Sequence, residues 1–246
     1  FNNRMIDEKG HLDRLWRSLD ELKMGAPMKR DPLKMVMREV IRRNGIENGI
    51  IYLQVTRGVA PRDHPFPKHT APALVMTAKR LSMEKSQKTA EAGVNVITVP
   101  DIRWTRRDIK SVSLLPNVLA KQEAKEKGAY EAFQIDEDGM VTEGSSTNAW
   151  IVTQEGKVVT RPTSNSILAG ITRGSLLREL EKNGVDLELR SFSKEELNSA
   201  REVFLTSSTT YVMPVVKVDD KIIGNGHPGI VSQQLRAIYE KFMQEV

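Results

Sequence analysis

Apolar residues recur along the chain with two periods, and these periods predict an alternation of helices and strands. In residues 11–24 the apolar positions lie three or four apart, so they share one face of a helix. Further helices are predicted between typical start and stop residues, at 31–45, 111–128, 172–183 and 229–244. Strands are predicted where Ile, Val and Leu are concentrated, at 49–55, 73–78, 94–99, 130–135, 140–141, 150–152, 158–159, 203–205 and 211–218.

This order of elements predicts an α/β fold of mixed (α+β) character with two domains. Residues 81–87 are polar and have no apolar period, so we interpret them as an interdomain connection. Residues 1–84 would form a small N-terminal α/β domain, and residues 88–246 a larger C-terminal domain. A long loop at 57–72 contains four prolines and two histidines, and structureless loops of that length are often functional.

Composition narrows the functional classes. The 246 residues are 39% hydrophobic and 28% charged, which is ordinary for a globular protein. The sequence contains no cysteine, so disulfides and thiolate chemistry are excluded, and its four histidines show no metal-ligand spacing. No apolar run approaches the roughly 20 residues that span a bilayer, and we expect a cytoplasmic location without membrane partners.

The net charge of +5 fits either a nucleic-acid binder or an enzyme of small anionic substrates. Basic pairs such as Arg42-Arg43 and Arg106-Arg107 lie among acidic residues, which favours an ordinary solvated surface. A basic binding protein would show aromatic residues interleaved with its Lys and Arg, but aromatic content is only 5%. We therefore expect no nucleic-acid partner.

Four segments carry candidate chemistry. They are 108–124, which has a lysine before an amphipathic helix, and the small or hydroxyl-rich turns at 142–150, 167–173 and 206–210. An amine can form a Schiff base, while backbone N–H groups and hydroxyls can bind a phosphate. Together the segments are typical of a site that holds an anionic cofactor covalently.

Each candidate residue also has an ordinary structural interpretation. Lys110 alone would be a surface charge, and Glu143 a surface carboxylate or a cap, although beside a pyridine-type cofactor it would keep the ring nitrogen protonated. Thr172 opens a predicted helix whose N-terminus suits a phosphate, or it belongs to an ordinary N-terminal cap. The hydroxyl residues are either turn formers or donors to a ligand; they are Ser145, Ser146, Thr147, Ser207 and Ser208. Arg62 and His64 are solvated loop charges, or a pair suited to a carboxylate.

In this order and spacing, the four segments resemble fold-type IV pyridoxal-phosphate enzymes. The resemblance extends over nearly the whole chain and is strongest with the D-amino-acid aminotransferase branch. It rests on GHLDRL at 10–15, QVTRGVAPRDHPFP at 54–67, DIRWTRRDIKS at 101–111, NVLAKQEAKEKGAYEA at 117–132 and TSSTTYVMPV at 206–215. Within the same group, a branched-chain L-amino-acid aminotransferase and an aminodeoxychorismate lyase remain alternatives, because both share the lysine and the glutamate. The loop residues 62–64 favour the D-amino-acid branch.

The resemblance implies a role for each candidate. Lys110 would bind pyridoxal 5′-phosphate as a Schiff base and transfer the substrate proton, and Glu143 would bind the ring nitrogen. Arg14, Ile171, Thr172, Ser207 and Ser208 would bind the phosphate, Leu168 would pack on the ring, and Ser145, Ser146 and Thr147 would line the substrate site. Arg62 and His64 would bind the substrate carboxylate across the interface of a homodimer.

The resemblance also implies a fold-type IV architecture, with a mixed, barrel-like sheet in the larger domain and the cofactor between the two domains. The substrates would be a D-amino acid such as D-alanine and a 2-oxo acid such as 2-oxoglutarate. Two departures stand out. The first strands of the family precede Phe1, and with them an aromatic residue of the substrate pocket, while Asp63 adds a carboxylate between Arg62 and His64.

Overall fold

The structure is a computed structural model that describes residues 1–245. The chain forms two compact units, Phe1–Met83 and Glu84–Val246. The connection predicted at 81–87 is wrong in one respect, because helix α3 (Met83–Ala92) begins inside it. This short helix buries Ala90 and carries an ion pair between Lys88 and Glu84, so it needs no regular apolar stripe to form.

The first unit packs two helices against a two-stranded sheet. Its elements are α1 (Glu8–Glu21), α2 (Arg30–Arg43), β1 (Gly49–Thr56) and β2 (Ala73–Arg80). The two strands are antiparallel and pair along their whole length. The core is made of apolar side chains from both helices and both strands, which include Leu12, Leu33, Met37, Ile51, Leu53, Leu74 and Met76.

The second unit is organised around a mixed sheet. Its remaining helices are α4 (Leu115–Glu126), α5 (Ile171–Lys182), α6 (Lys194–Ser199) and α7 (Ile230–Glu245). Its strands are β3 (Val94–Pro100), β4 (Glu131–Ile135), β5 (Val141–Gly144), β6 (Asn148–Val152), β7 (Val158–Thr160), β8 (Leu187–Leu189), β9 (Glu202–Ser207), β10 (Tyr211–Val218) and β11 (Lys221–Ile222).

Within the described residues, the strands of this sheet follow the order β5-β4-β3-β10-β9-β6-β7-β8, and β11 pairs with β10. The pairs β3–β4, β3–β10 and β7–β8 are parallel, and the other pairs are antiparallel. Every residue of β6 and β7 is buried, which shows that both faces of the sheet are covered there. The predicted α/β class of mixed character is confirmed.

Local sequence signals account for several element ends. Ser193 and Glu196 form the predicted capping box at the start of α6, and Gly184 adopts the left-handed conformation (φ +64°) after α5. Helix α4 begins at Leu115 rather than at residue 111, because Pro116 fits only the first turn of a helix. Among the described residues, no helix has the length and apolar character needed to cross a membrane.

Candidate active site

Glu143 lies near the end of β5 and is only 4% exposed. Its carboxylate accepts hydrogen bonds from three neighbours. The amide Nδ2 of Asn148 donates to Oε2 at 2.9 Å, the backbone N–H of Leu168 lies 3.1 Å from both oxygens, and the guanidinium of Arg103 donates to Oε1. The β5–β6 connection and two loops therefore fix the position of this carboxylate.

The environment of Glu143 places its proton equilibrium near neutrality. Burial raises its pKa to about 7, the positive charge of Arg103 opposes that rise, and the nearby carboxylate of Asp101 adds to it. A carboxyl group with a pKa near the working pH can change its charge in response to a bound partner. Glu143 thus combines a fixed position with an adjustable charge.

The segment that carries Lys110 is tied to the surroundings of Glu143. Arg103 donates to Glu143 from one part of this segment, and the backbone N–H of Arg107 donates to the carbonyl of Asn165 at 3.0 Å. Lys110 itself is exposed and follows the buried Ile109. The structure therefore attaches the lysine-bearing segment both to the carboxylate and to the segment that precedes α5.

The serine turn after β5 is anchored by a carboxylate that sequence reasoning did not single out. The side-chain hydroxyls of Ser145 and Ser146 both donate to the fully buried Glu131, the latter at 2.7 Å. Asn117 of α4 donates to the carbonyl of Ser145 at 2.8 Å. The two hydroxyl protons are therefore already engaged, which leaves their oxygens as acceptors. Thr147 Oγ1 is buried and has no hydrogen-bond partner within residues 1–245.

The N-terminus of α5 is rich in donors and carries positive charge. Gly170 is its N-cap residue and supplies no side-chain cap, so the first N–H groups, including those of Ile171 and Thr172, face outward from the helix. Arg173 follows and is 3% exposed; its Nη2 donates to the carbonyl of Arg161 at 2.7 Å, but its buried Nε has no partner among the described residues. Burial lowers the pKa of Arg173 to about 10, against the effect of Glu143. This arrangement suits an anion.

The second predicted phosphate-binding turn, 206–210, is held in a strained conformation. Tyr211 has a positive φ of +58°, which is rare for a bulky residue and persists only where the surroundings enforce it. Arg236 of α7 enforces it by donating to the carbonyls of Thr210 and Val212 at 3.0 and 2.8 Å. Ser207 Oγ lies 2.8 Å from the hydroxyl of Thr210, and Ser208 is exposed.

The other predicted residues belong to the first unit. Arg14 is half-buried on α1, whereas Arg62 and His64 are exposed in the loop 57–72. The base of this loop is fixed, because the guanidinium of Arg57 lies 3.5 Å from the ring centroid of Phe66 and donates to carbonyls at the end of α1. The tip of the loop, with both candidate residues, remains accessible.

No group of three or more His, Asp or Glu residues within 1–245 is arranged to hold a metal ion. The donors described above, in contrast, match an anionic group bearing a basic ring: the uncapped α5 N-terminus beside the orphaned Arg173 Nε suits a phosphate, and the buried Glu143 suits a ring N–H. Lys110 supplies an accessible amine in the same unit.

Comparison with known proteins agrees with this chemistry. Residues 1–218 match the family described as amino-transferase class IV. The chain is 39% identical to a D-alanine aminotransferase of Bacillus licheniformis over 96% of this chain and 82% of that protein. It is 36% identical to a D-alanine aminotransferase of Staphylococcus epidermidis over 99% of this chain and 86% of that protein. A solved branched-chain amino acid aminotransferase from T.th., with pyridoxamine 5′-phosphate, is 29% identical, covers 96% and 78% of the two chains, and gives a TM-score of 0.86.

The chain belongs to the class IV aminotransferases. The predicted fold-type IV family, the aminotransferase activity and the pyridoxal-phosphate cofactor are therefore confirmed. Among the alternatives that the sequence left open, the D-alanine aminotransferases have the higher identity, which favours the D-amino-acid branch over the branched-chain enzyme.

Sequence reasoning missed several residues of the site. Arg103 and Asn148 both bind Glu143, yet they lie 40 and 5 positions away in sequence. One available signal was the density of charged residues in DIRWTRRDIK, where arginines alternate with aspartates. Glu131 gave no signal, because its role depends on the pairing of β4 with β5.

We expect Gly170→Ala to weaken pyridoxal-phosphate binding by at least about tenfold. A Cβ at this position would lie 1.9 Å from Oδ1 of Asn148, so the substitution must displace the amide that binds Glu143 or shift the start of α5. The measurement is an absorbance titration of the unloaded protein with the cofactor. Gly174→Ala is the control, because its Cβ would meet nothing nearer than 3.9 Å. Equal affinities for both variants would contradict this account of the site.

Proposed function

We propose that this protein transfers the amino group of a D-amino acid, such as D-alanine, to a 2-oxo acid, such as 2-oxoglutarate. The observation that carries the proposal is the buried carboxylate of Glu143, held by three fixed donors and tied through Arg103 to the segment of Lys110. The names of the curated relatives, all D-alanine aminotransferases in the comparison above, support the choice of substrate class.

When bound, pyridoxal 5′-phosphate supplies an electrophilic carbon for the amino group and a protonated ring that accepts electron density. Lys110 Nζ removes the proton from the substrate Cα and returns it at the carbon of the cofactor. Glu143 accepts a hydrogen bond from the ring N–H and keeps that nitrogen protonated. The second substrate reverses these proton transfers, which gives ping-pong kinetics.

The remaining binding roles follow from the donors in each element. The backbone N–H groups of Ile171 and Thr172, with Ser207, Ser208 and Arg14, bind the phosphate, and Leu168 packs against the ring. Support comes from the uncapped start of α5 and from the strained turn that Arg236 holds before Tyr211.

The substrate would be held by residues of two kinds. Arg62 and His64 bind its carboxylate, since both are exposed on a loop with a fixed base. The turn 145–147 lines the site through the hydroxyl oxygens of its two serines, which remain acceptors after donation to Glu131, and through the unpartnered Thr147 Oγ1.

We further propose a homodimer. Apolar side chains are exposed along 102–119 of the second unit; Leu115, Val118 and Leu119 share one face of α4 and are 69%, 56% and 53% exposed. Exposed apolar faces of this kind are typical of protein–protein contacts. A second copy of the chain is the occupant that the resemblance implies. The cytoplasmic location stays a prediction from the sequence.

Lys110→Ala should lower kcat by at least about a thousandfold, because the base that moves the Cα proton is lost. Circular dichroism and the melting temperature should be unchanged, since the side chain is exposed. Lys125→Ala, which removes an exposed lysine of α4, is the matched control and should keep full activity. If Lys110→Ala retained wild-type turnover, the catalytic assignment would be wrong.

Arg62→Ala should raise KM for the amino donor about tenfold or more with a smaller change in kcat, because it removes a charged partner of the substrate carboxylate. Lys68→Ala, a charge removal from the same loop, should leave KM unchanged. An unaltered KM in Arg62→Ala would exclude a role in carboxylate binding.

Mixing the two inactive or weakened variants tests the dimer. If Arg62 acts at the site of the partner, subunit exchange between Arg62→Ala and Lys110→Ala creates dimers with one complete site, and activity at low donor concentration rises above that of either variant. A mixture no more active than its two components, after exchange has been verified by mass, would contradict action across the interface.

A further inference from the structure

Arg103 joins two buried carboxylates. Its Nε and Nη2 donate to the two oxygens of Asp101 at 2.9 and 2.7 Å, while Nη1 donates to Glu143. All three side chains are nearly inaccessible, with 6%, 0% and 5% of their surfaces exposed. Thr142 adds a further contact, because its hydroxyl donates to Asp101 at 2.7 Å. The guanidinium is therefore fixed on one side and presents its remaining edge to Glu143.

We propose that Arg103 is a positioning residue that keeps Glu143 ionised and aimed at the ring nitrogen of the cofactor. This inference rests on the role proposed for Glu143. A carboxylate can accept the ring N–H and stabilise its positive charge, whereas a neutral carboxylic acid donates its own proton and leaves the ring nitrogen unprotonated. The charge on Glu143 thus determines how well the ring accepts electrons.

The charged groups around Glu143 leave Arg103 as its direct counter-charge. Asp101 is a like charge, and Arg173 acts on Glu143 only through space, with its Nη2 bound to the carbonyl of Arg161. Asn148 and the N–H of Leu168 are neutral donors. Burial already raises the pKa of Glu143 to about 7, and loss of the Arg103 charge would raise it further.

The shape of the guanidinium matters as well as its charge. Asp101 binds the Nε–Nη2 edge in a bidentate manner, which fixes the plane of the group and directs Nη1 toward Glu143. A lysine would supply the charge without this fork. Arg103→Lys should therefore restore the ionisation of Glu143 in part but hold its carboxylate less firmly.

The first test uses the protein without cofactor and records the melting temperature against pH. The pKa of Glu143 is raised in the folded state, so its ionisation lowers stability as pH rises from about 4.5 to about 7, with no further loss above. In Arg103→Met the falling limb should extend upward by at least about one pH unit, which corresponds to a tenfold smaller ionised fraction at a given pH. A purely structural role would lower the melting temperature equally at every pH.

Two further variants identify the titrating group. Arg103→Met combined with Glu143→Gln should lose the extension of the falling limb, because the group responsible is gone. Arg161→Met, which removes a buried arginine paired with Asp136 at 2.8 Å, should destabilise without extending it. If the extension were absent in Arg103→Met, or persisted in the double variant, the proposal would be overturned. Arg103→Lys supplies the same comparison if the methionine variant does not fold.

The second test measures protonation of the ring nitrogen by ¹⁵N NMR of labelled pyridoxal 5′-phosphate bound to each variant. We expect a protonated ring nitrogen in the wild type at about pH 7.5 and a largely unprotonated one in Arg103→Met. Equal protonation in both would overturn the proposal. Failure of the wild type to bind the cofactor would instead count against the proposed function, while the melting experiment would still test the coupling of Arg103 to Glu143.

Discussion

The site depends on one buried carboxylate that must remain charged. Glu143 is almost inaccessible to water, and a carboxylate in such a place tends to take up a proton unless donors and a positive charge stabilise it. The protein provides these from three separate stretches of chain: Arg103 before α4, Asn148 at the start of β6, and the N–H of Leu168 before α5. The loops that carry the chemistry are thereby tied to a single point.

The sheet makes this arrangement possible. Strand β5 lies at one end of the strand order and presents Glu143 close to the turn that leads into β6. Glu131 on the neighbouring β4 anchors that turn by accepting both serine hydroxyls. Since β4 also pairs with β3, which runs into the segment of Lys110, the strand that anchors the turn adjoins the strand that leads to the lysine. The mixed sheet therefore positions residues that are far apart in sequence.

The sequence alone predicted the parts of the fold that local chemistry determines. Helix periodicity, the capping box at Ser193 and the glycine after α5 act within a few residues, and the structure confirms them. The short β8 and α3 were missed, because their formation depends on pairing and packing with distant segments. In these elements tertiary contacts outweigh the local pattern. The same limit applies to the site. Arg103 gave no signal of its role, because its importance appears only when the fold brings it to a carboxylate 40 residues away.

The central claim is that this site acts on a D-amino acid through Lys110 and a bound pyridoxal phosphate. The most direct measurement is an absorbance titration of the cofactor-loaded protein with D-alanine and, separately, with L-alanine. Our account predicts that the yellow absorbance band is lost with D-alanine alone. Loss with L-alanine alone, or no change with either amino acid, would contradict it.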